Sequence, residues 1–341
     1  MIMKLRFFLI LAFALSIAAC GGKKTDINEE VRDGYSIFYV EISGNPAYLL
    51  VPDAVDGEHP GPAVLMLHDH GARFDIGKEK LARPIKAAPD YIKASAQQWV
   101  DKNFEGVYLA DSLASLGYVV LVPDALYWGG RSSDDAQRWS RLTFDKKAER
   151  GLENRADTIK ALKDKVYEGQ REIYSRLMAN TGTEWAEVIL EDDRRTLQWL
   201  CSLDIVDPTR VGSFGFSMGA HRSWFLAANT DLLRCAVAQN WMTSLAAADV
   251  TSASSLSMCV TSLRNRMDIP EIAAMASPTP MLVLAGERDH LFPRDTVARC
   301  FEVMHSLYAP NVLRTEFFDG EHECPKSVQA TVVAYLDEML K

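Results

Sequence analysis

The sequence predicts an α/β fold, a mostly parallel sheet flanked by helices, and three observations carry that prediction. Short apolar or β-branched runs of about five residues recur along the chain between turn residues. Helical patterns separate most of them, which calls for crossover connections and parallel pairing. The runs are almost continuously apolar, as strands covered on both faces are.

Eight strands are expected. Ser36 to Ile42 and Ala47 to Val51 read as an opening antiparallel pair joined through Gly44-Asn45-Pro46. Ala63 to Leu67, Tyr118 to Val122 and Arg210 to Phe214 follow, then Cys235 to Ala238, Met281 to Leu284 and Leu313 to Phe318. Helical patterns cover Val107 to Leu116, Trp185 to Leu200, Ser217 to Ala228, Asp295 to Leu307 and Ser327 to Leu340. Two antiparallel strands followed by this alternation match the order of an α/β-hydrolase fold. Two segments exceed its minimal version: Asp75 to Lys102, and a polar, charged helical insertion over about 129–183. Insertions beside the C-terminal ends of strands often cover a binding site, although a solvated excursion fits the composition equally well.

The chain has 341 residues, 48% of them apolar, enough for one large core, so a single domain over 31–341 is expected. The net charge of −9 is spread along the chain, and no basic patch points to a nucleic-acid partner. Lys4 and Arg6 precede an apolar run from Phe7 to Ala19, too short to cross a bilayer comfortably. The run ends in Ile17-Ala18-Ala19-Cys20, which resembles a bacterial lipobox. That resemblance implies a signal peptide over 1–20, lipidation of Cys20, and a tether over 21–30. The expectation is an exported lipoprotein facing the periplasm or cell surface, touching the membrane only through its lipid anchor. An ordinary secretory signal with an incidental Cys20 is the alternative. Cys201, Cys235, Cys259, Cys300 and Cys324 remain, without zinc spacing, and their pairing is not legible.

Gly215-Phe216-Ser217-Met218-Gly219 fits the G-x-S-x-G nucleophile elbow. The pentapeptide alone is weak evidence; its seat between an apolar strand and a helical run is strong evidence. Such a turn needs residues without bulk beside the serine, hence Gly215 and Gly219. It holds the hydroxyl at a helix N-terminus, where developing negative charge is favoured. A serine needs a base, and the fold places an acid and then a histidine later in the chain. Asp289 follows the strand Met281 to Leu284, with Glu287 as competitor. His322 follows the last strand. His305 lies in a helical pattern and His221 one turn beyond Ser217, and both read as structural.

An oxyanion hole needs two N–H donors. Met218 supplies one, and the loop His68-Asp69-His70-Gly71-Ala72 supplies the other, from His70 or alternatively Gly71. The same His-Asp-His run admits a metal-dependent hydrolase using His68 and His70, with Asp124 and His290 as further ligand candidates. No cofactor is called for by any motif. Trp128 and Trp241 follow strands at the ligand-binding end and are candidates for stacking on a sugar, although aromatics there are more often core.

From about Tyr35 to Leu340 the chain resembles bacterial α/β-hydrolases of the dienelactone hydrolase and acetyl xylan esterase group. Leu67-His68-Asp69-His70-Gly71, Gly77-Lys78-Glu79-Lys80, Gly117 to Asp124, Asp192-Asp193 to Leu200 and Asp207 to Gly212 carry the resemblance, together with the elbow. It implies a Ser217–Asp289–His322 triad and a small-molecule or carbohydrate ester as substrate. Dienelactone hydrolases proper use cysteine as nucleophile, so Ser217 points toward esterase chemistry. A non-catalytic binding protein on the same scaffold is the remaining alternative, and the complete triad order counts against it.

Overall fold

The computed structural model describes residues 28–246, 253–258 and 261–341. The expected signal peptide, Cys20, most of the tether and Cys259 lie outside the described residues.

Among the described residues one sheet of nine strands organises the fold. The strands are β1 (Asn28–Val31), β2 (Tyr35–Ile42), β3 (Asn45–Pro52), β4 (Gly61–Leu67), β5 (Val119–Pro123), β6 (Val206–Phe216), β7 (Cys235–Gln239), β8 (Met281–Gly286) and β9 (Leu313–Phe318). Their spatial order is β1-β2-β3-β5-β4-β6-β7-β8-β9. From β5 to β9 every neighbouring pair is parallel, while β1, β2 and β3 join antiparallel at one end. This is the mostly parallel α/β-hydrolase-like architecture that the alternating pattern predicts.

Two details differ from the expectation. The ninth strand is β1, whose sequence Asn28-Glu29-Glu30-Val31 has no apolar alternation. It pairs through its backbone at the sheet edge, so residues 28–30 belong to the sheet and not to a tether. The β2–β3 turn is Ser43-Gly44, both at positive φ (52° and 81°), whereas Asn45 and Pro46 already lie in β3. Two residues at positive φ give a turn whose twist matches the flanking strands.

The helices are α1 (Asp90–Asn103), α2 (Leu109–Ser115), α3 (Asp134–Phe144), α4 (Arg155–Thr181), α5 (Trp185–Cys201), α6 (Met218–Ala227), α7 (Thr261–Arg264), α8 (Ile269–Ala274), α9 (Arg294–Leu307) and α10 (Lys326–Leu340). They form two layers. Side chains alternate along a strand, so Ala63, Leu65 and Leu67 of β4 pack with α5, α6, α8 and α9. Val64 and Met66 face the other way, onto α1, α2 and α10. That double covering is why the central strands are apolar on both faces. Among the described residues no helix is long and apolar enough to cross a membrane.

The register sets the site. Leu67 pairs with Gly215, Phe216 with Gln239, Gln239 with Leu284, and Gly286 with Phe318. The parallel strands β4, β6, β7, β8 and β9 therefore end together, and the loops that leave them converge on one rim. α4, inside the region 129–183, buries Leu162, Val166 and Gln170, spaced four residues apart on one helix face; Leu162 packs with Trp139 and Leu142 of α3, and Gln170 reaches His70 at the rim.

Candidate active site

β6 runs into Ser217, and α6 begins with the next residue. Ser217 adopts φ 55° and ψ −122°, a conformation that a side chain disfavours. Strain of this kind costs about 1–3 kcal/mol and persists only where the surroundings enforce it. Here the Ser217 N–H donates to the Gln239 carbonyl at 2.8 Å, and the Ser217 carbonyl accepts from Ala220 N–H at 2.8 Å. Gly215 and Gly219 permit the turn. A Cβ on Gly215 would meet the Gly219 carbonyl oxygen at 1.8 Å, and one on Gly219 would meet the Leu67 carbonyl oxygen at 1.8 Å.

His322 stands in the loop after β9, and its Nε2 lies 2.9 Å from Ser217 Oγ. Its Nδ1 lies 2.7 Å from Asp289 Oδ2. A carboxylate only accepts, so Nδ1 carries the proton and Nε2 is left to accept from the serine hydroxyl. Phe216 and Phe292 flank the imidazole at ring distances of 5.1 and 5.8 Å.

Asp289 lies in the loop after β8 and is buried. Its Oδ1 accepts from the N–H groups of Leu291 (2.8 Å) and Phe292 (3.3 Å), and its Oδ2 also accepts from Asn240 Nδ2 (3.0 Å). Burial pushes this carboxyl upward. The hydrogen bond and charge of His322, with the two amides, outweigh burial and hold it below the usual carboxylate value. Glu287, the competing acid, is half exposed and faces Arg294 at 3.8 Å. His305 bonds Thr315 Oγ1 at 2.9 Å, and His221 is buried among Trp224, Phe225 and Trp241.

The loop after β4 is built around buried polar groups. His68 uses both ring nitrogens: Nδ1 donates to the Asp69 carbonyl at 2.8 Å, and Nε2 accepts from Ala125 N–H at 3.0 Å. Burial, reinforced by the nearby cations of Arg222 and Lys80, holds His68 well below the ordinary histidine value. His70 Nδ1 accepts from Ala72 N–H at 3.0 Å, and its Nε2 lies 3.1 Å from the Gln170 amide on α4. Burial pushes His70 down to about 3, so its ring is neutral. Its carbonyl accepts from Trp128 Nε1 at 2.9 Å and from Lys80 Nζ at 2.8 Å.

These contacts bear on the metal reading. The ring nitrogens of His68 and His70 are spent on protein partners. Asp124 accepts from Lys78 Nζ (2.8 Å), Lys78 N (2.7 Å) and Gly130 N (2.8 Å), while His290 lines the cleft. Among the described residues no three His, Cys, Asp or Glu side chains stand where they could share a metal ion.

A cleft of about 790 Å³ opens over Ser217 and His322. Asp69, His70 and Gly71 form part of its wall, and Trp99, Trp241 and Phe292 give it aromatic surface. Trp241 lines this cleft but is itself buried, packed against His221, Trp224 and Phe292. Trp128 does not line it: it is fully buried beneath the His70 loop, against Phe74 and Trp185, and its N–H holds the His70 carbonyl. Asn240, Lys80 and Trp99 were not singled out individually from sequence. Lys80 stood in the Gly77-Lys78-Glu79-Lys80 run that the family resemblance marked, whereas Asn240 carries no local signal. Cys201, Cys235, Cys300 and Cys324 are free thiols, and none lines the cleft.

Comparison with known proteins bears on the family and the fold. Residues 96–315 match the family model described as the dienelactone hydrolase family. A relative from Bacillus subtilis (strain 168), YtaP, provisionally named a hydrolase, is 27% identical over 289 residues, covering 83% of this chain and 79% of that protein. A solved structure from Bacteroides fragilis NCTC 9343, provisionally named an acetyl xylan esterase, superposes with a TM-score of 0.60 at 16% identity, covering 90% of this chain and 74% of the other. The glucuronoyl esterase of Solibacter usitatus gives 0.54 at 12% identity, with coverage of 96% and 92%.

Proposed function

This chain belongs to the dienelactone hydrolase family, a family of hydrolases, and on that premise we propose that it is a serine esterase acting through an acyl-enzyme on Ser217. The observation that carries the reading is the unbroken relay from Ser217 Oγ to His322 Nε2 (2.9 Å) and from His322 Nδ1 to Asp289 Oδ2 (2.7 Å).

The chemistry follows from those contacts. Ser217 Oγ attacks the ester carbonyl carbon as its proton passes to His322 Nε2. The Asp289 carboxylate stabilises the resulting imidazolium and fixes its orientation. The carbonyl oxygen gains negative charge and is met by the N–H of Met218, at the start of α6, and by an N–H of the His70–Gly71 loop. Collapse of the tetrahedral intermediate expels the alcohol, which takes the proton from His322. Water, deprotonated by the same nitrogen, then attacks the acyl-serine and releases the acid.

Carbohydrate esters, acetyl esters among them, are the substrate class proposed. Trp99, Trp241 and Phe292 line the cleft, the two indoles largely buried, and this aromatic lining is where a sugar ring would pack. The lipobox-like Ile17 to Cys20 supports an exported, lipid-anchored protein, which suits a polymeric or extracellular substrate.

Labelling with a fluorophosphonate tests the nucleophile directly. The expected adduct maps to the peptide holding Ser217 and disappears when His322 is replaced by alanine; an adduct on a different residue would refute the assignment. Release of acetate from acetylated xylooligosaccharides, compared with release from simple aryl acetates, tests the substrate class.

A further inference from the structure

Lys80 is a fully buried ammonium against the loop after β4, whose residues Asp69, His70 and Gly71 form part of the cleft wall. Its Nζ donates to the Asp69 carbonyl at 2.8 Å and to the His70 carbonyl at 2.8 Å, and lies 3.4 Å from Asp69 Oδ2. The Trp99 ring covers it at 5.2 Å. Burying a lysine is costly unless its charge is met by acceptors. Here two of its three N–H bonds go to consecutive main-chain carbonyls, and a surface salt bridge would need neither of them.

The direction of those carbonyls matters. Both peptides are trans, the Ser277–Pro278 bond being the cis peptide recorded among the described residues. In a trans peptide the N–H points opposite to the C=O. The Asp69 carbonyl, held by Lys80 Nζ and His68 Nδ1, therefore turns the His70 N–H away from the interior. The His70 carbonyl, held by Lys80 Nζ and Trp128 Nε1, does the same for the Gly71 N–H. His70 and Gly71 line the cleft with Ser217, and Lys80 does not. Gly71, at φ 54°, has no room for a side chain, since a Cβ would meet Trp99 Cη2 at 2.3 Å.

We propose that Lys80 is a positioning residue for the esterase reaction: by gripping the Asp69 and His70 carbonyls it aims the His70 and Gly71 N–H groups at the oxyanion. Lys80 touches neither substrate nor Ser217, and the inference rests on the serine-esterase reading above. Its charge is also conditional. Burial pushes the ammonium down to about 8, against the opposing pull of Asp69 and Asp75, with Arg73 adding to the downward push. The other groups around it are the neutral rings of His68 and His70 and the indole of Trp99. Deprotonation above that pH removes the charge that grips both carbonyls, so turnover falls on the alkaline side.

The experiment compares wild type, Ser217→Ala, Lys80→Met and Lys80→Gln on p-nitrophenyl acetate from pH 6 to 10. Loss of a preorganised oxyanion donor typically costs about 10²–10³ in kcat. Lys80→Met is expected to lose about 10²-fold in kcat with KM within about threefold of wild type, and to lack the alkaline limb near pH 8 expected of wild type. If Ser217→Ala is inactive but folded Lys80→Met keeps kcat within threefold of wild type, the role of Lys80 is overturned and the esterase reading stands. If Ser217→Ala matches wild type, the esterase reading fails and takes this one with it. Should Lys80→Met not fold, Lys80→Gln decides, because it removes the charge that holds both carbonyls while keeping a polar, uncharged side chain in the buried site. A several-fold lower kcat at unchanged KM supports the proposal, and unchanged kcat overturns it.

Discussion

Asn240 Nδ2 donates to Asp289 Oδ2 over 3.0 Å, the oxygen that also accepts from His322. The same amide nitrogen donates to the Glu321 carbonyl at 2.9 Å, immediately before His322 in the chain. Asn240 thus ties the acid to the loop that carries the base. It sits at φ 57°, a left-handed conformation that asparagine tolerates better than most residues. Asn240→Ala removes one hydrogen bond to a charged group, worth about 1.5–3 kcal/mol. The expected effect is a drop in kcat of about tenfold or more at nearly constant KM, read by steady-state kinetics on an aryl acetate.

Asp289→Asn keeps the shape of the site but presents the wrong hydrogen-bonding pattern to His322 Nδ1. A loss of about 10⁴ in kcat is expected. The substitution also changes acid stability. The folded carboxyl sits below its ordinary value, so its contribution is complete above the unfolded pKa of about 3.9 and is lost as pH falls through the lower folded value. Denaturant unfolding at pH 6 and pH 3 should therefore show a smaller acid loss for Asp289→Asn than for wild type.

The elbow is anchored from behind by a buried ion pair. Arg222 on α6 grips Asp193 on α5 with two parallel bonds, Nε to Oδ2 at 2.9 Å and Nη2 to Oδ1 at 2.7 Å. Removing one partner leaves a buried unpaired charge, which costs about 3–5 kcal/mol. Arg222→Met should fall by that amount in urea denaturation. The double variant Arg222→Met with Asp193→Leu should recover most of the loss, because no charge is then stranded.

The sheet was legible because its strands are apolar on both faces: Ala63 to Leu67 and Met281 to Leu284 announce themselves without any partner. β1 was not, because Asn28 to Val31 is held by backbone pairing at an edge, which leaves no side-chain pattern. The members of the relay were legible from chain order and from the strand each one follows. Asn240 and Lys80 were not, since each acts through carbonyls and carboxylates that only the folded chain brings within reach. Trp128 shows the reverse failure. An indole after a strand end suggested a sugar platform, but its N–H was needed underneath the His70 loop. Trp241, with the same sequence signal, does line the cleft. The difference between them is set by packing, not by local sequence.

The most direct test of the account is the pre-steady-state reaction with p-nitrophenyl acetate. Wild type should release a burst of p-nitrophenol approaching one per protein molecule, with acetyl mass on the Ser217 peptide after an acid quench, and Ser217→Ala should show neither the burst nor turnover above background. A Ser217→Ala protein that turns over the ester at the wild-type rate would contradict it.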